Sequence, residues 1–141
     1  MKKIITTLFV FFLLSVTTIM NAQNYSGSLT VYVNDQAQPT TQNTVTVTKS
    51  NGTAVLKISN FAILNYADMN IELNSALNGT ALSTPATVSV TPAWIAFVLG
   101  NLQITESNIG TLDDNACTLN LKMYTSNLKQ QIKVVFDGTK K

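Results

Sequence analysis

Few side chains in this chain have the chemistry for catalysis. Histidine is absent, which removes Ser-His-Asp and Cys-His nucleophiles, imidazole zinc sites and the one side chain that titrates near neutrality. The carboxylates nearest one another in sequence are Glu106 with Asp113 and Asp114. Two carboxylates on either side of a glycosidic bond can cleave it, and Asp113-Asp114-Asn115 could offer oxygens to calcium. Leu112, Ala116 and Cys117 do not fit the frame of an EF-hand loop, so the segment reads as a polar turn. Cys117 alternates with Leu119, Leu121 and Met123 and reads as a small core residue, not a reactive thiol. As the sole cysteine it cannot form an internal disulfide. No Gly-rich phosphate loop, dinucleotide fingerprint or Cys-x-x-Cys pair occurs. The expectation is a protein that is not an enzyme and that takes no metal and no cofactor.

Binding chemistry is better represented. Phe61, Tyr66, Met69, Trp94, Phe97 and Met123 are the aromatic and adaptable apolar residues suited to lining the mouth of a pocket for a small hydrophobic, lipid-like ligand. Each of them suits ordinary core filling as well. Thr40, Thr41, Thr44, Thr46 and Thr48 form a neutral, hydrogen-bonding stretch that fits contact with a protein or glycan partner, and fits plain strand propensity equally. Two expectations follow: a non-enzymatic protein holding a small hydrophobic ligand, or a structural, adhesion-type interaction protein with a filled interior.

The elements that must position these residues are strands. From Tyr25 onward the dominant period is two: Gly27, Leu29, Val31 and Val33 alternate with polar neighbours, as do Val45 and Val47, Leu56 and Ile58, Met69, Ile71 and Leu73, and Val88 and Val90. The clearest stripes are Leu119, Leu121 and Met123, and Ile132, Val134 and Phe136. Turn residues separate them at Asn34-Asp35 with Pro39, at Ser50-Asn51-Gly52-Thr53, at Asn78-Gly79, at Asn108-Ile109-Gly110 and at Asp113-Asp114-Asn115. Asn51-Gly52 predicts a two-residue type I′ hairpin. Trp94 to Leu99 is continuously apolar after Pro92; it predicts a short helix near 93–99, able to cap one end of a barrel, leading into a strand at 102–105. About eight strands with short polar turns predict an all-β fold, a sandwich or barrel. Sequential hairpins and the need to hide strand edges favour a single antiparallel up-and-down barrel.

The first 22 residues carry a different signal. Lys2 and Lys3, an apolar run from Ile4 to Ile19 and small residues around Ala22 have the pattern of a cleaved secretory signal, leaving one domain over 23–141. No cysteine stands where a lipid anchor would attach. The protein is therefore expected outside the cytoplasm, periplasmic or extracellular, and without a membrane anchor. Lys2 and Lys3 account for the whole net charge of +2. The other lysines are dispersed and arginine is absent, so nucleic acid is not an expected partner.

Tyr25-Ser26-Gly27 at the first strand, Asn60-Phe61 at the end of a middle strand and Phe136-Asp137-Gly138 in the last strand form an ordered set. It resembles the calycin-like, lipocalin-like β-barrel proteins secreted by Bacteroidetes, and it covers nearly all of 23–141. The resemblance implies an eight-stranded barrel. The Gly-x-Trp of true lipocalins is missing, since Gly27-Ser28 leads to Leu29 and the only tryptophan is Trp94.

Overall fold

In the computed structural model, residues 22–63 and 66–141 are described. The expected signal segment, apart from Ala22, lies outside them. The chain runs β1 (Ala22–Val33), β2 (Gln36–Ala37), β3 (Thr41–Ser50), β4 (Thr53–Ile63), β5 (Tyr66–Asn78), β6 (Ala81–Thr91), α1 (Ala93–Leu99), β7 (Leu102–Ile104), β8 (Asn108–Leu112), β9 (Ala116–Thr125) and β10 (Gln130–Lys140).

The strands pair antiparallel in the order β1, β3, β4, β5, β6, β8, β9, β10, and β10 returns to β1, closing the sheet. Eight staves make the barrel. Two of them are interrupted: β2 and β3 both pair with β1, on either side of Pro39, and β7 and β8 both pair with β9. Proline has no N–H to give a ladder, which explains the first interruption. The up-and-down order expected from sequential hairpins is the one found, and closure leaves no outer edge along most of the sheet.

Period two decides what is inside. Leu29 and Val31, Val45 and Val47, Leu56 and Ile58, Met69, Ile71 and Leu73, Leu119, Leu121 and Met123, and Ile132, Val134 and Phe136 are all buried in one continuous cluster. An eight-stranded barrel is just wide enough for its own side chains to fill it.

The closing seam explains the landmark glycines. Gly27 of β1 and Gly138 of β10 are direct partners. A Cβ at Gly27 would run into the Asp137 carbonyl, and one at Gly138 into the Phe136 ring. The two backbones can meet there only without side chains, and Phe136 covers the bare stretch from within.

Two turns differ from expectation. Asn51-Gly52 joins β3 to β4, with Ser50 opposite Thr53, but only Gly52 has a positive φ, of 74°. A type I′ turn needs both. Asn34 and Asp35, at 49° and 67°, are the pair that meets this requirement, between β1 and β2. Asn108-Ile109-Gly110 is not a turn but the start of β8, with Ile109 buried; an apolar residue that can reach the core outweighs the turn propensity of its neighbours.

The expected helix is present and leads into β7. Ile95 and Leu99, one turn apart, are buried, whereas Trp94 and Phe97 face outward. Helix α1 packs on β6. The β6–β8 ladder runs only from Ala81 to Ser83, and β7 also packs against β6.

Candidate binding site

The six aromatic and methionine residues singled out in the sequence do not form one site. Phe61, Met69 and Met123 are 1%, 0% and 1% exposed and belong to the core. Tyr66 is half-buried and packs against that core, whereas Trp94 and Phe97 are exposed. The Tyr66 and Trp94 rings meet edge to face at 6.1 Å, and Phe97 stands 83% exposed on the outer side of α1. Alternation with Ile71 and Leu73 and with Leu119 and Leu121 puts Met69 and Met123 on the inner wall, whereas Phe61, an odd step from Ile58, reaches it through the bulge. For the helix, a continuously apolar run gives no way to tell which face turns inward.

The carboxylates are separated and occupied. Glu106 pairs with Lys122 at 3.3 Å, and Asp114 with Lys49 at 3.4 Å. Asp113 Oδ1 accepts the backbone N–H groups of Asn115 and Ala116, each at 2.7 Å. Those two donors, helped by Lys49, hold its carboxyl below the usual range. This is the geometry of an Asx turn. Among the described residues no three His, Cys, Asp or Glu side chains gather to hold a metal. Burial pushes the Cys117 thiol up to about 12, and its side chain packs in the core.

A concavity lies in the barrel wall, where β3 and β4 part. Their ladder runs from Ser50–Thr53 to Val45–Ile58 and stops. Beyond it, Thr41–Thr44 pair with β1 alone, and β4 continues with β5 alone. Two β4 residues, Ser59 and Asn60, stand against one on β5; Asn60 takes a φ of 55°, and the bulge bends β4 away from β3. The opening is a cleft of about 640 Å³, in the range of about 300–1,000 Å³ usual for small-ligand sites.

Its lining is uncharged. Buried Leu29, Val31 and Phe61 contribute the apolar part, and Gln38, Thr41, Gln42, Asn43 and Asn60 are among the polar residues around them. Thr44 and Thr46 also border the cleft. Their hydroxyls are oriented by neighbours on β1: Thr44 Oγ1 lies 3.2 Å from Ser26 Oγ, and Thr46 donates to Asn24 Oδ1 at 2.9 Å.

Asn43 sets the inner limit of the opening. Its Oδ1 accepts the Thr44 N–H at 2.7 Å, and its Nδ2 donates to the Ser59 carbonyl at 3.4 Å. One carboxamide thus replaces the backbone ladder for a single step. Of the Thr-rich stretch read from the sequence, Thr41, Thr44 and Thr46 border the cleft; Gln38, Gln42, Asn43, Ser59 and Asn60 were not foreseen. A signal for them existed. Inward alternation at Val47 and Val45 continues to polar Asn43 and Thr41, which marks where β3 leaves the core.

A second concavity of about 240 Å³ is charged, with Asp35, Glu106, Lys122 and Lys133 among its lining. Its groups are largely engaged with each other: Lys122 with Glu106, and Lys133 over the Tyr32 ring at 4.2 Å. Comparison of the chain with protein-family models, with curated proteins and with solved structures finds no match.

Proposed function

We propose that this protein is a non-enzymatic interaction protein that acts outside the cytoplasm and binds an uncharged, hydrogen-bonding partner in the cleft between β3 and β4. What supports this reading is a continuous cluster of buried apolar side chains inside the barrel beside an open wall. Phe61, Met69 and Met123 occupy the core, where a lipid-like ligand would have to sit, whereas the cleft offers about 640 Å³ lined by amides, hydroxyls and three buried apolar side chains. Uncharged amide and hydroxyl groups around an apolar patch fit neutral polar ligands and disfavour ions, which would lose hydration without a counter-charge. The secretory pattern at the amino end and the calycin-like resemblance support an exported binding role.

The reading of a small hydrophobic ligand keeps one supporting observation, the exposed Trp94 and Phe97 of α1. We rank it second, because neither Trp94 nor Phe97 lines the cleft between β3 and β4. Titration of isotope-labelled protein with neutral oligosaccharides and neutral peptides, followed by NMR, tests the proposal. Shifts clustered at 38–46 and 59–62 are expected with at least one of them. Shifts confined to the inner wall on addition of a fatty acid would replace this reading with the second one.

A further inference from the structure

The cleft is a place where a sheet has come apart, and its free groups are those of a strand. A two-residue turn makes Ser50 and Thr53 a hydrogen-bonded pair, so the residues of β3 that aim their backbone groups at β4 alternate from Ser50: Thr48, Thr46, then Thr44 and Gln42. Val45, Asn43 and Thr41 aim theirs at β1 and are paired there. The Thr44 N–H is taken by Asn43 Oδ1. What remains facing the cleft is the N–H and C=O of Gln42 and the C=O of Thr44, with no ladder partner on β4.

At the other place where the ladder stops, alongside β6, both α1 and β7 pack on that strand. No helix packs over the β3–β4 gap among the described elements. Behind the free edge lie Leu29, Val31 and Phe61, positioned to take one apolar side chain of an added strand, while the alternate side chains would face the polar rim.

We propose that the cleft accepts an extended, uncharged peptide segment as an added strand on the free edge of β3, bonded to Gln42 and Thr44. This rests on the cleft being the binding site. Because β3 and β4 are antiparallel, a segment antiparallel to one must run parallel to the other. The geometry assigns β3, whose Gln42 offers donor and acceptor together, as strand addition requires. The segment carries one apolar side chain between polar ones and no charge.

The test uses protein purified from expression of the full-length chain, screened against a display library of random decapeptides and, in parallel, a glycan array. Enriched peptides are expected to be uncharged and to alternate. Gln42→Pro removes the free N–H and leaves the β1 pairing intact, since that N–H faces the cleft; it should weaken binding at least about tenfold, and Gln42→Ala should change it less than about threefold. N-methylation along the peptide should weaken binding at alternate positions only, which decides the matter should Gln42→Pro not fold. Peptides that bind Gln42→Pro as tightly as the wild type, or tolerate methylation everywhere, overturn strand addition. Glycans alone binding, and losing affinity with Asn43→Ala, would keep the cleft and overturn the peptide. No peptide and no glycan bound would overturn both.

Discussion

Phe61→Ala probes the division between core and surface that the functional reading depends on. Phe61 is 1% exposed, pairs with Met69 of β5 just past the bulge, and contacts both the core and the cleft. Removing a buried phenyl ring costs about 3–5 kcal/mol in transfer and cavity terms. The cleft side can admit water, so the lower half of that range, about 3–4 kcal/mol, is the expectation. A domain of this size has a total stability of about 5–15 kcal/mol. At roughly 3–6 °C per kcal/mol, the loss corresponds to a fall of about 10–20 °C in Tm. Phe97→Ala removes the same ring from a position 83% exposed and should shift stability by less than about 0.5 kcal/mol. Urea unfolding of the two variants beside the wild type, with matched m-values, measures both. A cost below about 1 kcal/mol for Phe61→Ala, or above about 2 kcal/mol for Phe97→Ala, would refute the placement of these rings.

Three further outcomes follow from the same structure. Cys117, with its thiol raised to about 12, should not react with a disulfide reagent at pH 8 until the barrel unfolds; reaction of the native protein within seconds would contradict its burial. Asp113 has a lowered folded pKa, so its charge contributes stability above the unfolded value of about 3.9, and that contribution is lost as pH falls through the folded value. Wild type should therefore exceed Asp113→Asn in stability at pH 7 and converge with it in acid, and a difference that widens in acid would be the wrong sign. Gly27→Ala forces β1 away from Asp137 at the closing seam and should cost about 1–3 kcal/mol in chemical unfolding; an unchanged midpoint would show that the seam has slack.

Much of the barrel is legible in the sequence because a half-buried strand writes its inward face at every second position. Val45 and Val47, Leu119 to Met123 and Ile132 to Phe136 all fall inside as their alternation requires. Turn conformation is less legible: Asn-Gly is the stronger type I′ pair by propensity, yet Asn34-Asp35 is where both φ angles are positive, since register and strand twist choose the turn as much as its residues do. Which way Trp94 and Phe97 face is illegible for a different reason. In an all-apolar helix the inward face is chosen by what it packs on, here by Ile95 and Leu99. The cleft depends on a bulge at Ser59-Asn60 and on where a ladder ends. Both are relations between strands far apart in sequence, and only the polar residues at inward positions 41 and 43 hint at them.

The central claim, a filled interior with binding confined to the wall, is tested most directly by native mass spectrometry of the protein recovered from a secretion host and exposed to a lipid extract, with denaturation afterwards to release any passenger. The account predicts the bare polypeptide mass and no released lipid. A stoichiometric apolar passenger would contradict it and return the function to the barrel interior.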